Sequence, residues 1–233
     1  MTDKKIIEYW DQDYFEYWKK ITNMEEGRED VPKDDICNRY IEKLEIKDNE
    51  VILDVGCGFG RCFPLFLEKD VKVYGIDISQ AMINEAEKIY NSNPKVFLSL
   101  GGLEKLDFKN EMFDKILVWA VFDAVEKQCE SLNEIARVLK EGGEVLISGK
   151  HKPYYEDDSE AKIAEENANK KGHPNFFTDF NELKKSIEKN KLEIENCFIF
   201  KKRGDMAKDL YVNDIPKAFY EYIIILKKLK GDQ

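Results

Sequence analysis

Residues 51–60 read VILDVGCGFG, an apolar run that ends in three glycines at alternate positions. The first five residues are apolar or β-branched apart from Asp54, which is the pattern of a short buried strand. Gly56, Gly58 and Gly60 remove Cβ atoms where the chain has to turn and let a ligand approach the backbone. We therefore predict a ligand-binding loop after this strand rather than a plain tight turn.

The spacing of the glycines helps to identify the ligand. A dinucleotide loop reads G-x-G-x-x-G, whereas this loop reads G-x-G-x-G and places Arg61 at the position of the third glycine. Asp54 would be a poor neighbour for a pyrophosphate, and it suits a ligand that carries positive charge. The loop therefore argues against a nicotinamide-dependent oxidoreductase, which we keep as a third hypothesis.

Asp77 ends the second predicted strand, VKVYGID, at residues 71–77. A carboxylate at that place can accept two hydrogen bonds from a ribose diol. The alternative interpretation is a surface acid, or an acid favoured by the N-terminus of the next helix. The glycine loop lies at the expected separation of about 20 residues, which favours ribose binding.

Strands and helices alternate through the middle of the chain, which predicts a parallel sheet with helices on both faces. We expect strands at 51–55, 71–77, 95–100, 113–120 and 144–150. We expect helices at 3–22, 36–44, 61–69 and 80–90, with Ser79 as N-cap, and a further helix with one face formed by Leu132, Ile135, Ala136 and Leu139. After residue 150 a polar segment, a helix at 178–189 and two strand-like runs at 192–203 and 218–228 predict an antiparallel closure of the sheet.

Composition excludes several classes of protein. The 233 residues carry a formal net charge of -10, so binding of nucleic acid is unlikely on charge grounds. No apolar run approaches the ~18 residues of a membrane span, and the N-terminus lacks the apolar core of a signal peptide. Five cysteines without a CxxC pair suggest neither disulfides nor a metal site, so we expect reduced thiols and a cytoplasmic protein.

Three segments, DVGCGFG, YGIDIS and LEKLDFKNEMFDKILVWAVFDAV, together resemble the class I S-adenosylmethionine-dependent methyltransferases. The resemblance covers about residues 45–150. It implies an α/β, Rossmann-like three-layer sandwich whose seven-stranded, mostly parallel sheet has its last strand antiparallel. We expect a single methyltransferase domain over 1–233, with an N-terminal helical cap (1–44), a cofactor-binding core (45–150), and a lid segment with sheet-closing strands (151–233).

The resemblance also implies the cofactor, S-adenosylmethionine, and its product, S-adenosylhomocysteine. Asp54 would help to hold the loop and the cationic amino group, Asp77 would take the ribose hydroxyls and Ile78 would lie on the adenine. An acid that the family often has after the third strand is missing, because its position and the next hold Gly102 and Leu103. The remaining expected cofactor contacts are Gly56, Cys57, Gly58, Gly60, the backbone of Leu103, and Trp119.

Methyl transfer from a sulfonium is an in-line displacement, so the protein mainly positions the acceptor and excludes water. A base is needed for some oxygen or nitrogen acceptors, and the candidates are His151 and His173, with Tyr154 and Tyr155 as weaker alternatives. The aromatic N-terminal helix is either an amphipathic packing helix or one wall of an apolar substrate pocket. The candidate substrate residues are Tyr9, Trp10, Tyr14, Trp18 and Phe122.

The favoured function is transfer of a methyl group to an O, N or C atom of a small-molecule acceptor. A non-catalytic module that binds S-adenosylmethionine or S-adenosylhomocysteine is the main alternative, and an RNA or protein methyltransferase is a less favoured one. We expect a monomer or homodimer that is not bound to a membrane.

Overall fold

A computed structural model describes residues 3–21 and 35–231 of the chain. The strands are β1 (Val51–Val55), β2 (Lys72–Asp77), β3 (Val96–Leu100), β4 (Phe113–Val118), β5 (Leu139–Lys150), β6 (Leu192–Phe200) and β7 (Glu221–Lys228). The α-helices are α1 (Asp3–Glu8), α2 (Phe15–Ile21), α3 (Asp35–Ile41), α4 (Phe63–Phe66), α5 (Gln80–Tyr90), α6 (Gln128–Val138), α7 (Ser159–Lys170) and α8 (Phe180–Lys189). A π-helical segment, Tyr9–Tyr14, joins α1 to α2, and short 3-10 turns cover Glu42–Leu44 and Phe122–Ala124.

The seven strands form one sheet in the order β3-β2-β1-β4-β5-β7-β6. Strand β2 is parallel to β1 and β3, and β4 is parallel to β5. Strand β7 is antiparallel to both β5 and β6. The predicted seven-stranded, mostly parallel α/β fold with an antiparallel last strand is therefore confirmed.

The chain divides into two compact units, Met1–Gly102 and Leu103–Gln233. In the first unit β1, β2 and β3 pair in register, so that Asp54 lies opposite Gly75 and Asp77 lies opposite Leu100. Helix α5 buries Met82, Ile83, Ala86 and Tyr90, whose spacing gives it a single apolar face. Its N-cap is Ser79, as predicted, because the hydroxyl accepts a hydrogen bond from Met82 N–H at 3.1 Å.

In the second unit the core forms along β4, β5 and β7. The middle of β7, from Tyr222 to Leu226, is buried at every position, as expected for an apolar strand with neighbours on both sides. The same strand pairs with β5 from Glu144↔Lys227 to Lys150↔Glu221. This register brings the carboxyl end of β5 beside the first residue of β7.

Three local predictions were wrong. The helix expected at 61–69 is limited to α4, because the glycine loop takes the residues before Phe63 and the chain turns at Leu67 towards β2. Leu139 was expected on a helix, but it pairs with Phe113 and begins β5. The segment of α7 was expected to be polar and without a helix, but the structure forms a helix there. Asp158 caps this helix by accepting a hydrogen bond from Ala161 N–H at 3.0 Å.

The predicted organisation as a single domain with boundaries at residues 44 and 150 stays a prediction. Part of the N-terminal cap, residues 22–34, lies outside the described residues.

Candidate cofactor-binding site

The glycine loop follows β1 and is fixed to the end of β2 through its backbone. The N–H groups of Gly56 and Cys57 both donate to the carbonyl of Ile76, at 2.7 and 3.0 Å. Gly56, Gly58 and Gly60 have φ angles of +70°, +55° and +83°, a region that side-chain-bearing residues rarely adopt. The backbone geometry of this turn thus favours glycine at all three positions, as the sequence predicted.

Gly60 has a second reason to be glycine, which is packing against α5. A Cβ atom built on it would lie 2.7 Å from the Tyr90 ring and 2.9 Å from the Phe63 ring. The Tyr90 hydroxyl also donates to the Gly60 carbonyl at 3.0 Å. The first unit therefore accounts for Gly60 without a ligand, and its predicted contact with the cofactor stays a prediction.

Asp77 joins the loop to the start of α5. Its Oδ2 accepts from Gly58 N–H at 2.9 Å, and its Oδ1 accepts from Ser79 N–H at 2.9 Å. Burial raises the pKa of Asp77, the hydrogen bonds from Ser79 and Gly58 lower it, and the nearby Asp11 carboxylate raises it again. A carboxylate has about four acceptor positions, so these two bonds leave capacity for a ribose hydroxyl.

Asp54 is buried at the end of β1, with 3% of its surface exposed. Burial raises its pKa from the ordinary 3.8 to about 8; Arg61 opposes this shift and Asp77 adds to it. The carboxyl group is therefore mostly protonated at neutral pH. A cation placed beside Asp54 would lower the pKa of its carboxyl and favour the ionised form. An ammonium group of a ligand would act in this way.

Cys57 is buried within the loop, and burial, with the Asp54 and Asp77 carboxylates, raises the pKa of its thiol. A thiol in this state is not an activated nucleophile. The predicted contact of Cys57 with the cofactor stays a prediction.

The two residues predicted to flank the adenine lie together in the first unit. A Cβ atom on Gly102 would stand 3.0 Å from the Ile78 side chain. The chain is held there by Gly101 N–H, which donates to the carbonyl of Asp77 at 2.9 Å. A side chain at position 102 would therefore require the Ile78 side chain to shift by a few tenths of an ångström.

The N-terminal aromatic residues pack on one another and on the glycine loop. Trp10 and Tyr14 meet edge to face with ring centroids 4.5 Å apart, and Tyr9 lies 5.1 Å from Trp10. Trp18 lies 6.2 Å from the Phe59 ring, and the Arg61 guanidinium stands 5.1 Å from its centroid. The helix therefore covers part of the loop, and its role as a substrate wall stays a prediction.

Asp11 was not predicted as a site residue, yet it lies at the N-terminus of α5. Its Oδ1 accepts from the Ser79 hydroxyl at 2.8 Å and from Ala81 N–H at 3.1 Å. The residues are 68 and 70 positions apart in sequence, so no local pattern could have indicated the contact.

Three further predicted contacts lie in the core of the second unit. Leu103, Trp119 and Phe122 are 2%, 9% and 0% exposed. Their burial fits core packing, and their predicted contacts with cofactor or substrate stay predictions.

The two candidate histidines differ in their surroundings. His151 stacks on Phe219 at 4.0 Å, and its Nδ1 lies 2.9 Å from the Thr178 carbonyl, so this nitrogen carries the proton and donates. His173 is partly buried, and the charges of Lys150, Asp123 and Glu165 act on its pKa. Burial lowers the pKa of both imidazoles, so both are neutral at neutral pH.

The weaker alternatives, Tyr154 and Tyr155, are both partly exposed. The Tyr154 ring packs against Tyr220 at 5.5 Å, and burial raises the pKa of its hydroxyl, which makes it a poor base.

Lys150, Asp123 and Glu165 form an ionic network that the sequence did not indicate, and their charges act on the pKa of His173. Lys150 Nζ lies 3.3 Å from both Asp123 Oδ2 and Glu165 Oε1, and Tyr220 donates to the same Glu165 oxygen at 2.6 Å. Asp123 follows β4 and Lys150 ends β5, so the network gathers at the carboxyl end of two parallel strands. In α/β sheets this is the edge where ligands bind.

Fold and loop together define an α/β protein with a glycine turn after its first strand that is hydrogen-bonded to the end of its second. The model of the family described as "Methyltransferase domain" matches residues 46–206, well over half of the chain. The chain therefore belongs to the class I S-adenosylmethionine-dependent methyltransferase family, as the sequence predicted. This membership also disfavours the oxidoreductase hypothesis.

Individual relatives agree with the family. The Bacillus subtilis (strain 168) protein named "Uncharacterized methyltransferase YdaC" is 34% identical over 46% of this chain and 60% of its own length. The ubiquinone/menaquinone biosynthesis C-methyltransferase UbiE of Campylobacter jejuni (strain 81116) is 28% identical over 62% of this chain and 63% of its own length. This chain thus covers less than two thirds of either relative.

A solved structure supports the fold alone. The phosphoethanolamine N-methyltransferase 2 of Haemonchus contortus, in complex with S-adenosyl-L-methionine, aligns with a TM-score of 0.64 at 15% identity. The alignment covers 86% of this chain and 54% of that one.

None of the helices within 3–21 and 35–231 is long and apolar enough to cross a membrane. Across the same residues, no group of three or more histidine, cysteine or acidic side chains is placed to hold a metal ion.

Proposed function

We propose that this protein binds S-adenosylmethionine at the glycine loop and transfers its methyl group to an O, N or C atom of a small-molecule acceptor. The observation that carries the proposal is the hydrogen bond from Gly58 N–H to Asp77. This bond holds the glycine loop beside the acid that we propose as the acceptor for the ribose hydroxyls. S-adenosylmethionine supplies a methyl group on a sulfonium, so the protein needs neither a metal nor a covalent nucleophile.

The residues of the first unit fit this cofactor. Asp77 keeps acceptor positions for the ribose diol, and Ile78 and Gly102 offer an apolar, uncharged surface to the adenine. Asp54 would meet the amino group, and its buried carboxyl would lose a proton when that cation arrives. Gly56, Cys57, Gly58 and Gly60 would present backbone rather than side chains to the methionine part.

A small acceptor is supported by two observations. The net charge of -10 disfavours a long polyanionic substrate. In the network of Lys150 with Asp123 and Glu165 the two acids are buried and the lysine is partly buried, and such groups recognise compact polar ligands better than extended polymers. The UbiE relative is named for methylation at carbon in quinone biosynthesis, but this chain shares only part of its length, so we leave the methylated atom open.

We assign the base, where the acceptor needs one, to His173. The charges of Lys150, Asp123 and Glu165 act on its neutral imidazole, and such groups are able to stabilise or relay a proton. His151 is instead held by Phe219 and the Thr178 carbonyl, which suits a packing role. The aromatic residues Tyr9, Trp10, Tyr14 and Trp18, with Phe122 and Trp119, remain our candidates for the acceptor and cofactor walls.

The proposed compartment is the cytoplasm, supported by the five cysteines, all within the described residues, none of which is in a disulfide. The protein would act as a monomer or homodimer.

The test is a binding measurement followed by an acceptor screen. Calorimetric titration with S-adenosylmethionine should give binding for the wild type and much weaker binding for Asp77→Ala. Transfer of a radiolabelled methyl group is then measured on small-molecule pools, bulk RNA and denatured protein. Labelling confined to RNA or protein would overturn the small-molecule assignment. Binding without transfer to any pool would favour a non-catalytic binding module instead.

A further inference from the structure

Asp11 lies at a junction between the N-terminal helical segment and the cofactor site. Its Oδ1 takes one hydrogen bond from the Ser79 hydroxyl at 2.8 Å and another from Ala81 N–H at 3.1 Å. Ala81 is in the first turn of α5, where backbone N–H groups lack partners within the helix. Asp11 therefore caps α5 from a segment almost seventy residues away in sequence.

A continuous chain of hydrogen bonds leads from Asp11 to the glycine loop. The Ser79 hydroxyl donates to Asp11, and the Ser79 N–H donates to Asp77 Oδ1 at 2.9 Å. The other oxygen of Asp77 accepts from Gly58 N–H at 2.9 Å. Asp11 is thus linked through Ser79 to the carboxylate that we propose for the ribose.

The segment that carries Asp11 has an unusual local form. Residues Tyr9–Tyr14 are π-helical, a rare state that occurs mostly as single turns at functional sites. The next helix places Trp18 on Phe59 and Arg61 of the glycine loop. One helical segment therefore contacts both the N-terminus of α5, through Asp11, and the glycine loop, through Trp18.

We propose that Asp11 is a positioning residue of the cofactor site, which holds Ser79, and through it Asp77, in the orientation that receives the ribose diol. The inference rests on the proposed function, because it concerns affinity for S-adenosylmethionine. Asp11 itself acts through Ser79 and is not assigned a contact with the cofactor.

The charge of Asp11 provides a readout that a purely structural contact would not move. The groups that face Asp77 are Asp11 from the N-terminal segment, Asp54 from β1, and Cys57 of the glycine loop, while Arg61 acts on Asp54. Because the Asp11 carboxylate raises the pKa of Asp77, its neutralisation should lower that pKa. The ionised form of Asp77, the better acceptor, would then persist to more acidic pH.

The experiment compares four forms of the full chain by calorimetric titration with S-adenosylmethionine. Asp11→Ala removes both acceptor bonds and should weaken binding by about tenfold. Asp11→Asn keeps an acceptor oxygen, so it should restore most of the affinity at neutral pH, while its loss of affinity on acidification moves to lower pH. Asp13→Asn, an exposed acid of the same π-helical segment, is the matched control and should bind like the wild type.

A double-mutant cycle tests the relay through Ser79. In a Ser79→Ala background the Asp11→Ala change should cost clearly less than in the wild type, because the shared link is already broken. Circular dichroism checks that each variant is folded.

Three outcomes would overturn the proposal. Asp11→Ala could bind like the wild type, its effect could match that of Asp13→Asn, or the two changes in the cycle could be fully additive. Absence of any binding by the wild type would overturn the proposed cofactor as well, which separates that failure from the others.

Discussion

The backbone N–H of Gly58 donates to Oδ2 of Asp77 at 2.9 Å, which joins two residues 19 positions apart in sequence. The carboxylate therefore shapes the glycine loop, and in the proposed function it also provides the acceptor for a ribose. The two motifs that a sequence reader treats as separate signals are one hydrogen-bonded unit.

This relationship predicts the consequence of removing the carboxylate. Asp77→Ala should weaken S-adenosylmethionine binding by about ten- to a hundredfold, since hydrogen bonds to a charged group contribute roughly 1.5–3 kcal/mol. Asp77→Asn should lose less, because one acceptor oxygen remains for Gly58 or Ser79. Titration calorimetry measures both. Asp70→Asn, at an acid that is 64% exposed in the same unit, controls for the change in net charge and should leave the affinity intact. Equal affinities for all four proteins would disprove the role of Asp77.

A comparison of Gly60 with Gly58 distinguishes the effect of side-chain packing from that of backbone strain. Gly60→Ala and Gly58→Ala both place a side chain at positive φ, which costs roughly 1–2 kcal/mol. Only the Cβ at position 60 meets rings, at 2.7 and 2.9 Å, whereas at position 58 its nearest neighbour is the flexible Met82 sulfur at 3.8 Å. Overpacking should add roughly 1–3 kcal/mol at position 60 alone.

Urea unfolding of the two alanine variants measures this difference. Gly60→Ala should be clearly less stable than Gly58→Ala. Similar stabilities would mean that the Tyr90 and Phe63 rings move aside at little cost, and the packing argument would fail.

The strand that precedes the loop was predictable to the residue, while its surroundings were not. VILDV is a continuous apolar run ended by glycine, so both limits of β1 follow from local chemistry. The helix after the loop was overestimated because local propensity ignores the space that the glycine turn and the return to β2 require. Leu139 was misplaced since its partner, Phe113, is fixed only by the register of β4 and β5.

The same contrast applies to the site. Asp54, Asp77 and the glycines follow from motif spacing, because their function depends on neighbours in sequence. Asp11, Lys150 and Glu165 obtain their roles from contacts across many residues, which a single sequence does not encode in any local period. Helix α7 did carry a local signal, the cap at Asp158 followed by alanine, lysine and glutamate, and its high polarity concealed it.

Asp54 predicts a proton linked to cofactor binding. Its pKa of about 8 leaves the carboxyl mostly protonated at neutral pH, and a bound ammonium would favour the ionised form. Binding should therefore release a proton, and the affinity should rise as pH increases towards 8. Calorimetry in two buffers of different ionisation enthalpy measures the released proton, which should vanish in Asp54→Asn. A wild-type enthalpy that is the same in both buffers would contradict the prediction.

The same carboxyl predicts a pH dependence of stability without cofactor. Its folded pKa of about 8 lies above the ordinary 3.8, so the native chain holds the extra proton between these values. Its contribution to stability is therefore lost as pH rises through that window. Asp54→Asn should remove this slope and be more stable than the wild type at alkaline pH, as judged by urea unfolding at several pH values. A wild type that gained stability over the same window, relative to Asp54→Asn, would refute the assignment.

Substitution of the two histidines should have different effects, on stability at His151 and on catalysis at His173. His151→Gln loses the stacking on Phe219 and strains the bond to the Thr178 carbonyl, so it should lower the free energy of unfolding by about 1–2 kcal/mol. His173→Gln removes the proposed base and should lower kcat by about 10²–10⁴ for an acceptor that must lose a proton.

The pH profile of kcat shows which of the two histidines acts as the base. Because burial lowers the pKa of His173 below its ordinary 6.5, wild-type activity should be level at neutral pH and fall only in acid, as the imidazole gains a proton. His173→Gln should lack that acidic limb, whereas His151→Gln should keep it. An acidic limb that persists in His173→Gln, or disappears in His151→Gln, would show that the base has been assigned to the wrong residue.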